Sequence, residues 1–374
     1  MVGCRSGRWR RCAARRVILW IIAGITGLYQ FCAIVACLRF WKYASRPATP
    51  AVFPASILKP VSGLDEGFRG AIESHSKLHG EYELLCGVRS LDDPAVQVLR
   101  EYPGAARVIE CRTQTANGKV GVLIDLVRAA RHSVLVVNDA DIRVEADYLE
   151  RVTGPLSDPG VGLVTCLYRP EGSTLAARFE GLGVSTDFVP STLVGWLIGL
   201  DEFAGGSTLA FRRVDLEGIG GFEPIADYLA DDYQLGHRLR LLGRKCILSG
   251  SIVATHLGGG WRDVWLHQLR WARTIRVSNF PGYLSLPVTF TTVWAVVAAF
   301  AGQLWLGAVL LIIRTAMAVV SGWVVIRSRD VLRLFFLIHV RDLCTAAIWA
   351  WGLVGSSVIW RGKRLKLDRQ GRIR

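Results

Sequence analysis

No CxxC pair occurs among the nine cysteines, and none of them clusters with histidine at zinc-ligand spacing. A thiol redox motif and a zinc module are therefore both excluded, and the scattered thiols suit a reduced, cytosol-facing protein. Acids are missing from residues 1–16, which hold Arg5, Arg8, Arg10, Arg11, Arg15 and Arg16. They are scarce again in residues 361–374, where seven Lys or Arg stand against Asp368. These two tails carry nearly all of the formal charge of +14, so the middle of the chain is close to neutral. Basic tails beside apolar runs, with no nucleic-acid-binding module, indicate contact with anionic lipid headgroups rather than with nucleic acid. Methionine is rare as well, two in 374 residues, alongside abundant Arg, Ala and Gly, as in GC-rich coding sequence.

What is abundant is apolar: 51% of the residues are hydrophobic, high for a soluble enzyme. Residues 17–38 form a run of 22 without a charge. At ~1.5 Å per residue that run is long enough to cross a hydrocarbon core of ~30 Å. A cleaved signal peptide is the rival, since Ile34-Val35-Ala36-Cys37 resembles a lipoprotein cleavage box, but the run is long for a signal sequence. Apolar sequence returns at 286–313, 315–326 and 343–360, which predicts two or three further crossings. The Arg341-Asp342 pair between the last two runs must then lie at an interface or be paired inside the bundle.

Between these runs the pattern changes. Residues 39–53 read as a basic, proline-containing linker. From there, strand-like runs at 56–61, 82–88, 107–110 and 133–137 alternate with helical patterns near 67–78, 94–102 and 120–130. Several of the runs are continuously apolar, as buried parallel strands are. The order is that of a doubly wound α/β sheet, whose ligands bind beyond the carboxyl ends of the strands.

Acids gather at those ends. The run ending at Val137 leads into Asn138-Asp139-Ala140-Asp141. In extended chain Asp139 and Asp141 point the same way and share a divalent cation, Mg2+ or Mn2+, that neutralises a leaving diphosphate. The plainer reading of such a triplet is a solvated turn or a cap. The run ending at Val88 leads into Asp92-Asp93-Pro94, where a carboxylate could accept from a base or ribose, or Asp93 could cap the helix that Pro94 opens. Asp231 and Asp232 open another helical pattern, and capping accounts for only one of them. An acid of raised pKa there suits deprotonation of a hydroxyl. His267, Arg270 and Trp271 share one helix face, which suits either a diphosphate clamp or an amphipathic helix on the membrane surface.

With these elements in this order, nearly the whole chain resembles family 2-like lipid glycosyltransferases, most closely the ceramide glucosyltransferase family and its bacterial hopanoid-biosynthesis relatives. The matching segments include Leu58-Lys59-Pro60, Asp92-Asp93-Pro94-Ala95, Asn138-Asp139-Ala140-Asp141, Gly205-Gly206-Ser207-Thr208, Ala230-Asp231-Asp232-Tyr233, the run from His267 to Thr274, and Trp360-Arg361-Gly362. The resemblance implies a GT-A type nucleotide-sugar-binding domain with a mostly parallel sheet, and transmembrane helices at both ends. It implies donor binding by Asp92, Asp93, Lys119, Asp139 and Asp141, with metal on Asp139 and Asp141. The catalytic base falls on Asp232 beside Asp231, and closure over diphosphate and acceptor on His267, Gln268, Arg270 and Trp271. Three positions depart from the family: His267 where the motif has Gln or Arg, Ser90 where many members have an acid, and Val122 where members usually have Asn.

The expectation is an inverting transferase moving glucose or N-acetylglucosamine from a UDP-sugar to a lipid hydroxyl, on ceramide first and a hopanoid polyol second. A catalytic domain at 52–280 would face the cytoplasm of a multi-pass, bacterial inner-membrane protein. Around it lie a basic tail at 1–16, a helix at 17–38, a linker at 39–51, helices at 281–360 and a basic tail at 361–374. The six leading arginines oppose that orientation under the positive-inside tendency, unless the first helix is interfacial, the tendency is overridden or the start codon is misassigned. A non-catalytic scaffold or sugar-nucleotide sensor is the rival from another class. A processive polysaccharide synthase would need more helices than the apolar runs supply.

Overall fold

The computed structural model of the chain describes residues 4–47, 52–200 and 204–374. It opens with α1 (Cys4–Ala44), and then strands and helices alternate: β1 (Ala55–Pro60), α2 (Phe68–His75), β2 (Tyr82–Val88), α3 (Pro94–Arg100), β3 (Arg107–Glu110), α4 (Gly118–Ala129) and β4 (Val134–Val137). β1 pairs in parallel with both β2 and β4, and β2 with β3. Every residue of β4 is buried, which is why its sequence has no polar face. Side-chain alternation splits the core into two layers. Ile57 of β1 packs with Phe68, Ile72 and Val136 on one face of the sheet, and Leu58 with Leu123, Val137 and Phe211 on the other.

The second half departs from the doubly wound expectation. α5 (Tyr148–Thr153) leads to β5 (Val161–Gly172), α6 (Leu175–Gly183), α7 (Val189–Leu197), β6 (Leu209–Arg212), α8 (Arg213–Gly218), α9 (Asp231–Leu241) and β7 (Lys245–Leu257). The sheet order is β3-β2-β1-β4-β6-β5-β7. β6 runs antiparallel between β4 and β5, while β5 and β7 are parallel, so the sheet is mostly parallel but mixed. Its carboxyl edge at β4 therefore faces the loop that enters β6.

After the sheet come α10 (Trp261–Ser278), α11 (Phe280–Ser285), α12 (Thr291–Phe300), α13 (Leu304–Val319), α14 (Arg329–Arg333) and α15 (Ile338–Gly352), followed by the hairpin β8 (Ser357–Trp360) and β9 (Lys363–Lys366). Among the described residues two helices are long and apolar enough to cross a membrane, Arg16–Ala44 and Leu304–Val325. A third arises if the bent pair Phe280–Thr289 and Thr291–Phe300 counts as one span. The run expected at 343–360 does not form one continuous helix. Its helix stops at Gly352, Gly355 takes a φ of 78° that favours glycine, and β8 follows. The linker expected from residue 39 begins later, because α1 continues to Ala44 and packs Cys37 and Phe40 against Leu167 and Leu248. Residues 48–51 of that linker, and the side chains of Arg5, Arg8, Arg10, Arg11 and Arg15, lie outside the described residues.

The tail at 361–374 docks on the α/β unit instead of projecting from it. The Leu229 N–H donates to the Gly371 carbonyl at 3.2 Å, and the Ile373 N–H to that of Asp227 at 2.7 Å. Charges among the apolar helices are paired internally. Arg314 of α13, 1% exposed, lies 2.6 Å from Asp187 and 2.5 Å from Asp342, and Thr292 donates to Asp342. Partnered charge of this kind is what makes ionised groups tolerable at that depth.

Candidate active site

Two buried polar side chains build the edge at β4. Asn138 has no exposed surface, and its amide donates to Tyr148 Oη at 2.9 Å, to the Ser207 carbonyl at 2.8 Å and to Thr208 Oγ1 at 3.2 Å. The end of β4 is thereby tied to the loop that enters β6. Lys59, equally buried at the end of β1, donates its Nζ to the Asp139 carbonyl at 2.7 Å. Burial pulls its pKa down to about 8 against the opposing pull of Cys86, Asp141 and Asp139. Residues 139–142 do not continue the extended strand assumed from sequence. They turn, with the Ile142 N–H donating to the Asp139 carbonyl at 3.2 Å. The alternation argument for pairing Asp139 with Asp141 therefore fails, and loop bonding places each of them instead.

Beneath this turn lies His75, fully buried, its Nε2 3.4 Å from Asn138 Oδ1. Burial pushes its pKa down to about 3, with Lys59 adding to the effect. Because the folded value lies below the unfolded ~6.5, protons favour the unfolded chain in between. Stability is therefore full above pH ~6.5 and falls as pH drops toward 3, by up to ~1.4 kcal/mol per unit. Chemical denaturation of wild type and His75→Asn across that window checks this: the variant should lose that part of the slope.

Three acids and two cations meet above the turn. Lys119, in the first turn of α4, places Nζ 2.8 Å from Asp139 Oδ1 and 3.4 Å from Asp231 Oδ2. Asn117 caps that helix, its Oδ1 accepting the Lys119 N–H at 3.1 Å. Burial opposes the lysine's charge, but Asp139 and Asp231 outweigh it and leave the pKa above the ordinary value. At Gly206 a Cβ would stand 3.0 Å from Asp232 Oδ2 and 3.8 Å from Asp139 Oδ2, so both carboxylates border one small space that glycine keeps open. Burial, and then the neighbouring Asp231, push the Asp232 carboxyl up to about 6, while Lys119 pulls it down. Arg270 of α10 is the second cation. Burial lowers its pKa, and Asp139, Glu180, Asp232 and Asp231 oppose that.

The remaining expected residues lie around this group. Asp93 caps α3, its Oδ1 accepting from the Ala95 N–H at 2.9 Å and its Oδ2 from the Gly63 N–H at 2.8 Å. Asp92 accepts from the Ser90 hydroxyl at 3.3 Å. Both stand on the same sheet edge, but among the described residues no hydrogen bond or ion pair joins them to the three acids. Asp141 accepts from the His256 N–H at 2.9 Å and from Thr255 Oγ1, which fastens the turn to β7. Trp271 has the rings of His267 and Phe188 as neighbours, at 5.1 and 5.8 Å. His267 and Gln268 both bond Glu180.

Sequence reasoning missed Glu180 and Tyr168. Tyr168 has its pKa raised well above the ordinary value by burial and then by Glu180, Asp232 and Asp139, which puts it beside the same acids. The only trace of Glu180 in the sequence is an acid within the apolar stretch Phe179 to Gly183, and that does not indicate what it faces.

A divalent cation fits the donors present. No group of three or more His, Cys, Asp or Glu able to hold a metal occurs among the described residues, so an all-protein cage is absent there. Asp139 is 43% exposed, and Asp141 uses only its Oδ2 in the turn. One or two carboxylates completed by substrate phosphate and water are the usual mode for Mg2+.

The fold and this edge define a class: α/β proteins that gather acids and cations at the carboxyl end of a mostly parallel sheet and carry helices apolar enough to cross a membrane. The model of Glycosyl transferase family 21 matches residues 18–373, and the chain belongs to that family. It is a glycosyltransferase of the ceramide glucosyltransferase-like kind. Ceramide glucosyltransferase 1 of Caenorhabditis elegans is 25% identical over 357 residues, covering 89% of this chain and 75% of the relative. Ceramide glucosyltransferase 3 of the same organism is 26% identical, over 74% of this chain and 63% of its own length. Among solved structures, a mannosyltransferase from Pyrobaculum calidifontis in complex with GDP-Man and Mn2+ covers 89% of this chain and 99% of its own, at 18% identity and a TM-score of 0.46.

Proposed function

We propose that the chain transfers a sugar from a UDP-sugar to the primary hydroxyl of a membrane lipid, with inversion at the anomeric carbon, and that the lipid is ceramide. One observation carries this reading: Asp232 and Asp139 border a single space over Gly206, with the Asp232 carboxyl raised to about 6. A base poised near neutral pH beside a diphosphate-binding acid is what direct displacement requires. Asp232 takes the proton of the lipid hydroxyl. The hydroxyl oxygen bonds to the anomeric carbon as the bond to the diphosphate breaks, and the electron pair leaves with UDP. Lys119 and Arg270 border the departing charge and stabilise it. A divalent cation on Asp139 and Asp141 supplies further charge neutralisation to the diphosphate when bound. Asp93, with Asp92, is assigned to the nucleoside by family resemblance, and the α/β unit is assigned to the cytoplasm, the side that holds sugar nucleotides.

The acceptor assignment follows the two Caenorhabditis elegans relatives. It is tested by supplying purified full-length protein in lipid nanodiscs with UDP-glucose, UDP-N-acetylglucosamine, ceramide and a hopanoid polyol. Glycosylceramide is the expected product. Product on the polyol alone would move the assignment, and no transfer to any lipid would end it.

The pH profile follows from the same charges. Asp232 must be ionised to act, so kcat/KM should fall as pH drops through about 6. Lys119 lowers the Asp232 pKa, so Lys119→Met should move that acid limb to higher pH. An unmoved limb would show that Lys119 does not act on the titrating group.

A further inference from the structure

Trp360-Arg361-Gly362, at the tip of the β8–β9 hairpin, takes no part in the chemistry above. Trp360 pairs with Lys363, so Arg361 and Gly362 make a two-residue turn. Their φ values are 47° and 74°. Turns of this kind favour Asn-Gly, because a side chain with a Cβ is strained at positive φ. Arg361 therefore stands where the backbone alone would select another residue. Its side chain crosses to the loop that follows β1, where Nη1 donates to the Ser62 carbonyl.

The other half of the same peptide group is engaged as well. The Gly63 N–H donates to Asp93 Oδ2 at 2.8 Å. One peptide thus lies between guanidinium and carboxylate, accepting from the first and donating to the second. With the Ala95 N–H on Oδ1 at 2.9 Å, both Asp93 oxygens are oriented, and each keeps a lone pair for a ligand. The loop runs on to the acid turn after β4. Glu66 Oε2 lies 2.8 Å from His256 Nε2, the His256 N–H donates to Asp141 Oδ2 at 2.9 Å, and a Cβ on Gly67 would stand 3.3 Å from the Asp141 Cβ. The hairpin is itself anchored on α10, where Arg273 donates to the Ser357 carbonyl and Arg276 Nη2 to that of Gly355 at 2.6 Å.

We propose that Arg361 is a positioning residue for the sugar-nucleotide donor: from the hairpin tip it holds the Ser62–Gly63 peptide, and through that peptide the Asp93 carboxylate, in place for the nucleoside. This rests on the reading above that a UDP-sugar is the donor and that Asp93 meets its nucleoside. It adds a requirement that the transfer chemistry alone does not make, namely that the C-terminal hairpin, nearly three hundred residues from Ser62 along the chain, completes the donor side of the site.

The test is calorimetric titration of UDP, with Mg2+ present, into full-length protein in nanodiscs: wild type, Arg361→Asn, Arg361→Lys, Asp93→Asn and the Arg361→Asn, Asp93→Asn double variant. Arg361→Asn keeps the turn, as the preferred Asn-Gly pair, and removes the reach to Ser62. Its Kd for UDP should rise about tenfold, the loss of one charge-assisted hydrogen bond, with no fall in unfolding temperature. Arg361→Lys retains a charged donor and should stay within about threefold of wild type. Asp93→Asn can still cap α3 through its oxygen but loses the Gly63 link, and the double variant should bind within about twofold of the weaker single one, because the two residues act as one unit. In the transfer assay, the UDP-sugar KM of Arg361→Asn should rise with the Kd while the ceramide KM stays within about twofold. Inorganic pyrophosphate should inhibit Arg361→Asn and wild type alike. An unchanged Kd in Arg361→Asn, losses that multiply in the double variant, or a selective loss of pyrophosphate inhibition overturns the proposal. If Asp93→Asn fails to fold, the two Arg361 variants and pyrophosphate decide alone. Absence of UDP binding by wild type would instead count against the donor reading itself.

Discussion

Asp232→Asn should lower kcat for lipid glycosylation by about 10²–10⁴-fold, the range expected when a general base is lost. Asn preserves the volume and can still accept the Tyr233 N–H that Asp232 Oδ1 accepts at 2.7 Å, so the start of α9 should be undisturbed. It cannot take a proton. Stability should hold or rise, because the wild-type carboxyl is destabilised in place by burial and by Asp231. Thermal unfolding of wild type and variant beside the transfer assay separates the two effects. Wild-type turnover by the variant would remove Asp232 from the mechanism. Low turnover with a collapsed fold would assign it a structural role.

The second large effect lies away from the chemistry. Arg314→Met removes the cation that pairs directly with both Asp187 and Asp342, in a site where the arginine was 1% exposed. Breaking one side of a buried charge cluster costs about 3–5 kcal/mol, far more than the cluster is worth relative to apolar packing. Detergent-solubilised protein titrated with SDS should therefore unfold at markedly lower SDS fraction. Replacing all three residues with apolar ones of similar volume should recover much of the loss, since no unpaired charge then remains. A single variant as stable as wild type would show that the two acids are neutralised by other means.

Much of this was legible from residue order, and the reasons differ by element. The central strand β4 announces itself because a strand buried on both faces has little room for polar side chains, and Val134–Val137 has none. Asp139, Asp231 and Asp232 stand out because adjacent or nearby acids are costly unless something charged is near. What the sequence could not display was depth in three dimensions. The antiparallel insertion of β6 depends on a crossover of the chain that no local pattern encodes. Asp141 was read as pointing with Asp139, but Thr255 and the His256 N–H, more than a hundred residues away, hold it in a turn. Asp93 shows the opposite case, where the local capping signal, Asp before Pro, is what the chain builds. The apolar run through Trp360 was read as membrane-spanning because composition alone does not distinguish a span from a helix end followed by a β-hairpin. Glu180 stayed hidden because a buried acid is recognised by its partners, which come from α10.

The proposed transfer is a direct displacement at the anomeric carbon by a lipid oxygen that Asp232 activates. The most direct measurement is the proton NMR coupling of the anomeric position in the glycolipid that purified protein makes from an α-linked UDP-sugar and ceramide. A β-linked glycosylceramide is the expected product; an α-linked one, or release of free sugar with no glycolipid, would contradict the account.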